Sequence, residues 1–145
     1  MKRTRAAIIK EIGDIGEKLV QSSLLSRHKE VVLSENKFDS VKDMTADDET
    51  VEVKTLVKIK IYDAFCIGSS QIVKCLNVDR LFFVEIARGD SINIYEAKKP
   101  RKPSRKWYNG DNCYFFKLTE LELYDTIHDK ATADRLRELT PSHYL

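Results

Sequence analysis

Lys42-Asp43-Met44-Thr45-Ala46-Asp47-Asp48-Glu49-Thr50-Val51-Glu52-Val53-Lys54-Thr55 is the stretch from which the rest of the chain can be read. β-Branched residues at Thr45, Thr50, Val51, Val53 and Thr55 flank a short acidic run, a pattern that predicts a tight hairpin. Side chains alternate along a strand, so Val51 and Val53 face one way and Glu52 and Lys54 the other. With Asp48 and Glu49 as a two-residue turn, Asp43 stands opposite Lys54 and shares its face. Two acids and a lysine then converge on one side of a ribbon whose other side is apolar. Such a face is either a site or a solvated surface.

Glu-x-Lys occurs three times, as Glu35-Asn36-Lys37, Glu52-Val53-Lys54 and Glu96-Ala97-Lys98. Only the middle copy lies in a β-alternating segment with an acid nine residues upstream. An acid on one strand followed by Glu-x-Lys on the next resembles the PD-(D/E)xK nuclease superfamily. The resemblance implies a restriction-endonuclease-like α/β sandwich, with a mixed central sheet flanked by helices. It also implies Asp43, Glu52 and the Val53 carbonyl as ligands of Mg²⁺ or Mn²⁺, with Lys54 as a catalytic residue. Asp39, thirteen residues before Glu52, is a rival for the first acid. Asp43 is preferred because it lies within reach of the partner strand.

The chain has 145 residues, one domain's worth, with 42% hydrophobic and 33% charged residues, as in a soluble globular protein. Net charge is only +2, so attraction to nucleic acid must come from local clustering. Cys66, Cys75 and Cys113 are an odd number without Cys-x-x-Cys spacing, and the three histidines are scattered. They indicate neither a disulfide framework nor a zinc site. Reduced thiols fit an intracellular compartment. Glu11, Asp14 and Glu17 interrupt any apolar run that a signal peptide needs, and no stretch approaches the roughly 20 apolar residues of a membrane span.

The spacing of Ile8, Ile12, Ile15 and Leu19 predicts a helix from about Thr4 to Leu25. Ile9, Gly13, Gly16, Val20 and Leu24 widen its apolar stripe, with Glu17 at the edge. Glycine inside a helix costs roughly 1 kcal/mol against alanine, so Gly13 and Gly16 suggest close approach to another backbone. Gly13-Asp14-Ile15-Gly16-Glu17 also resembles the first-helix motif of Holliday-junction-resolvase-type members of the superfamily. That resemblance implies that Glu17 reaches the metal site; by itself Glu17 reads as an ordinary boundary residue.

Glu30 to Ser34 reads as a short strand leading to the hairpin, and the Lys54 strand is expected to continue through Leu56, Val57, Ile59 and Ile61. An irregular bend around Asp63 and Gly68 follows, then a helix from about Ser69 to Asn77. Ser69 or Ser70 is its expected cap, and Ile72, Val73 and Leu76 its buried face. The superfamily pattern implies Gln71 or Lys74 near the scissile phosphate; a solvent-facing glutamine is the alternative. Leu81-Phe82-Phe83-Val84-Glu85-Ile86 reads as a central strand covered on both faces, with a turn at Arg88-Gly89-Asp90 before a strand from Ser91 to Tyr95. The superfamily core is thus expected over about residues 8–95.

Lys98-Lys99-Pro100-Arg101-Lys102-Pro103-Ser104-Arg105-Lys106 carries six cations in nine positions, although the remainder of the chain is net acidic. Its two prolines exclude helix or central strand. Trp107 and Tyr108 follow directly. A stiff basic arm ending in aromatics suits phosphate neutralisation and base stacking by Lys98, Lys99, Arg101, Lys102, Arg105, Lys106, Trp107 and Tyr108. The other reading is a solvated loop whose aromatics tuck onto the core. Beyond it, an extension over residues 113–145 is expected to hold a strand at Cys113 to Leu118 and a helix from Thr132 to Leu139, with Asp125 to Asp129 unassigned.

Phosphodiester hydrolysis needs an activated water and a counter-charge for the transition state, which a hard cation held by carboxylates supplies. The expectation is therefore a Mg²⁺-dependent endonuclease acting on DNA, working as a homodimer because one small active site cuts one strand. The alternatives are an inactive nucleic-acid-binding or assembly module of the same fold, or an RNA-directed nuclease.

Overall fold

The computed structural model describes residues 3–27, 30–34 and 43–145. Asp39 and Glu35-Asn36-Lys37 lie outside the described residues. In chain order the elements are α1 (Arg5–Leu25), β1 (Val31–Leu33), β2 (Met44–Ala46), β3 (Glu49–Leu56), β4 (Ala64–Gly68) and α2 (Ile72–Asn77). They continue with β5 (Arg80–Glu85), β6 (Ser91–Ala97), β7 (Ser104–Tyr108), β8 (Asp111–Lys117), β9 (Leu121–His128) and α3 (Lys130–Leu139). A six-stranded sheet runs β1-β2-β3-β5-β6-β9, and a three-stranded sheet runs β4-β8-β7. β3 and β5 are parallel and the other strand pairs antiparallel, so the chain is α/β with a mixed sheet. A parallel pair needs a crossover, and β4 and α2 supply it. None of the helices among the described residues is long and apolar enough to cross a membrane.

Alternation along β3 divides the core in two. Val51 and Val53 join Val20 and Leu24 of α1, Phe82 and Val84 of β5, and Leu136 of α3 on one face. On the other, Glu52 and Lys54 stand beside Leu81 and Phe83. Those two residues pack with Phe65 and Phe116 of the small sheet and with Ile72 and Cys75 of α2. The Phe65 and Phe83 rings stack with centroids 4.9 Å apart. Glu52 therefore occupies a position that an apolar side chain would otherwise fill.

α1 starts as expected, with Thr4 Oγ1 accepting the Ala7 N–H at 3.1 Å. Gly16 is required by contact: a Cβ there would lie 1.7 Å from Thr55 Oγ1. The partner is thus a side chain rather than the expected backbone, and a Cβ at Gly13 would meet nothing within 4 Å. Ile9 is exposed, so the buried stripe is narrower than its sequence pattern.

Several boundaries differ from expectation. Asp47 and Asp48, both with positive φ (48° and 70°), form the hairpin turn, one residue earlier than Asp48-Glu49. Met44 consequently pairs with Val51. β3 stops at Leu56, and the chain then turns back at Asp63 (φ 51°), leaving Ile61 81% exposed. The expected bend contains β4, whose apolar run is covered on both faces and so shows no alternation to read. α2 starts after Gln71, whose side chain makes no capping bond, while Ser69 donates to Asp111 instead. Its buried residues are Ile72 and Cys75, with Val73 and Leu76 exposed. The expected C-terminal extension is built into the fold, since β9 pairs with β6 and α3 packs against the α1 layer.

Candidate active site

The ladder between β2 and β3 brings Asp43 into place. Just before Met44, its N–H donates to the Val51 carbonyl at 2.8 Å. Its Oδ2 accepts the Val53 N–H, also at 2.8 Å. The carboxylate is thereby tied to the Glu-x-Lys strand, but not opposite Lys54 as the expected turn required. Its other oxygen lies 3.4 Å from Lys74 Nζ, and the same ammonium lies 3.2 Å from Glu52 Oε1. Lys54 Nζ lies 3.2 Å from Glu52 Oε2 and donates to Gln71 Oε1 at 2.9 Å. Asp43, Glu52, Lys54, Gln71 and Lys74 thus form one cluster. Both members of the Gln71 or Lys74 alternative belong to it.

Glu52 is only 1% exposed, and neither carboxylate oxygen makes a hydrogen bond of good geometry, although each has a lysine at 3.2 Å. Burial, with Asp43 adding hydrogen bonding and like charge, pushes its pKa up to about 8 against the pull of Lys54 and Lys74. Desolvation draws the Lys74 ammonium down, but Glu52 and Asp43 more than offset it and its pKa is raised. Burial pushes the Cys66 and Cys75 thiols up to about 12, so neither is a thiolate nucleophile near neutral pH.

Glu17 is a half-buried residue of α1. It follows Gly16, which packs on Thr55, so it belongs to the α1 layer on the Val51 and Val53 side of the sheet. Glu52 and Lys54 face the opposite layer. Among the described residues, no three acidic, histidine or cysteine side chains converge as a metal-holding group. The third Glu-x-Lys copy is structural: Arg80 grips Glu96 through two bonds of 2.8 and 2.9 Å, and Lys98 donates to the Thr119 carbonyl.

The expected basic arm is divided between structure and surface. Arg101 donates to the carbonyls of Cys75, Leu76, Val78 and Asp79, satisfying the C-terminal end of α2. Ser104–Tyr108 forms an edge strand, the position that a preceding Pro103 permits. Lys106 Nζ lies 4.5 Å from the centre of the Tyr62 ring, and Tyr108 packs edge-on against Phe115. Lys98, Lys99, Lys102, Arg105, Lys106 and Trp107 are exposed. Asn109-Gly110, with φ of 54° and 86°, closes the β7–β8 hairpin. That dipeptide was the legible signal for a hairpin the sequence reading missed.

Comparison with family models, with curated proteins and with solved structures finds no match to this chain.

Proposed function

We propose that the chain is a Mg²⁺- or Mn²⁺-dependent endonuclease with a restriction-endonuclease-like core, hydrolysing DNA phosphodiester bonds. The observation that carries this reading is the convergence of Asp43 and Glu52 on one ammonium, with Lys54 on the same sheet face. Buried carboxylate oxygens without good hydrogen bonds suit a hard cation, which prefers oxygen ligands. Two carboxylates suffice, because Mg²⁺ keeps several waters and takes substrate phosphate oxygens. Asp43, Glu52 and the Val53 carbonyl would hold it.

When bound, the metal ion polarises the phosphate and lowers the pKa of an attacking water. Asp43 is oriented for its part by the Val53 N–H. Gln71 and Glu52 fix the Lys54 ammonium, which donates to the water or to charge developing on the phosphate. Lys74 neutralises the acids before substrate arrives. Exposed Lys99, Lys102 and Arg105 supply backbone contacts. Cutting both strands requires two copies, which favours a homodimer on DNA.

One observation favours the inactive-module reading: Lys74 already balances both acids from within the chain. Incubating the pure protein with supercoiled plasmid and with branched DNA, in Mg²⁺ or EDTA, separates the two. Mg²⁺-dependent nicking is expected. Glu52→Gln and Lys54→Ala each lower it by about 10²–10³-fold or more, as for loss of a transition-state electrostatic contact. DNA bound without cleavage in any divalent cation would leave only the module.

A further inference from the structure

The β7–β8 hairpin carries the only tryptophan of the chain, Trp107, at 70% exposure. Its two faces are used differently. Lys106 and Tyr108 point to Tyr62 and Phe115 and are occupied there. Arg105 and Trp107 lie on the other face, paired with Tyr114 and Asn112. That is also the face of Ile67, Phe65 and Phe116, which turn toward α2 and the six-stranded sheet.

The hairpin tip is tied to the segment that leads into α2. Ser69 Oγ donates to both oxygens of Asp111, at 3.0 and 3.2 Å. Two residues on, Gln71 accepts from Lys54, and two residues of chain span at most roughly 7 Å. The hairpin thus presents an exposed indole and, two positions along the same strand face, an exposed guanidinium, with Lys99 and Lys102 exposed earlier in the same basic segment.

We propose that Trp107 and Arg105 form a stacking site for an unpaired nucleotide of DNA, so that the substrate is gapped, flapped or branched DNA rather than continuous duplex. The polymer is taken as DNA from the function proposed above; the stacking site stands on the hairpin. An indole face stacks on any base whose own face is open, whereas in continuous duplex both faces are covered by neighbouring pairs. Arg105 meets the phosphate next to the stacked base. The turn and the Ser69–Asp111 contact hold the hairpin before binding, which lowers the ordering cost.

Because Trp107 is the only tryptophan, its fluorescence reports on this site alone. The full chain in EDTA is titrated with single-stranded DNA, with a duplex carrying a one-nucleotide gap and with a blunt continuous duplex. Single-stranded and gapped DNA are expected to quench the emission, and continuous duplex to leave most of it. By anisotropy of labelled DNA, Trp107→Ala binds gapped DNA roughly 5- to 150-fold more weakly, the equivalent of about 1–3 kcal/mol for one lost base stack. Trp107→Phe restores most of that affinity, and both variants bind continuous duplex like wild type. Circular dichroism melts confirm that the exposed site is altered without unfolding. Equal quenching by all three DNAs, no quenching at all, or an equal affinity loss on gapped and continuous DNA would overturn the proposal. Quenching without plasmid nicking removes the nuclease and keeps the stacking site, and nicking without quenching does the reverse.

Discussion

The ammonium of Lys74 lies 3.2 Å from Oε1 of Glu52, a carboxyl that is otherwise closed off from solvent. Burial nevertheless dominates, and the Glu52 pKa is raised from 4.5 to about 8. Between those values the folded state binds more protons than the unfolded chain, so stability falls as pH rises through this window. Its contribution is complete below about pH 4.5 and lost above about pH 8, on the order of a few kcal/mol. Thermal melts in EDTA at pH 5 and pH 8.5 should show a clear drop for wild type and a much smaller one for Glu52→Gln. Parallel pH dependence would mean that the two lysines keep Glu52 ionised throughout.

Divalent cation should stabilise the folded protein if Asp43 and Glu52 hold it. At a concentration about 100 times its Kd, Mg²⁺ adds about 2.7 kcal/mol by preferential binding to the folded state. The rise in Tm on replacing EDTA with Mg²⁺ should be present in wild type and largely absent in Asp43→Asn and Glu52→Gln. An Asp39→Asn protein should respond like wild type. If Asp39→Asn alone loses the response, the first acid is Asp39.

Arg101 and Arg105 are four residues apart and should behave in opposite ways. Arg101→Ala leaves carbonyls at the end of α2 without a donor, at a cost of about 1–3 kcal/mol, seen as a lower Tm. Its effect on the salt dependence of DNA binding should be small. Arg105→Ala should melt like wild type and lower the log-log salt slope by about 0.7 to 0.9 for one lost phosphate contact. A reduced slope for Arg101→Ala at unchanged Tm would contradict this division.

Two helix glycines give a further contrast. At Gly16 a methyl group collides with Thr55 Oγ1, so Gly16→Ala should cost about 1–3 kcal/mol through overpacking of α1 on β3. At Gly13 nothing lies within 4 Å, and Gly13→Ala should gain up to about 1 kcal/mol from helix propensity. Urea melts of both variants measure the difference directly.

What the sequence determined by itself rests on local periodicity. The 3.6-residue spacing placed α1, and the apolar run from Leu81 placed β5 at the centre of the sheet. Period-two alternation put Glu52 and Lys54 on one face. Moving the turn one residue earlier left that unchanged, because it shifts each pairing by two positions and two positions restore the face. Tertiary structure decided which layer covers each face. It buried Glu52 beneath α2, brought Lys74 between the acids and sent Glu17 to the opposite layer. It also committed Arg101 to helix carbonyls and left Trp107 in solvent. These outcomes depend on contacts between residues distant in sequence, as in Asp43 with Lys74 or Ser69 with Asp111. A charged or aromatic residue carries no local mark of the layer it will meet, so its burial and its partner were fixed only when the two sheets closed around the hairpin.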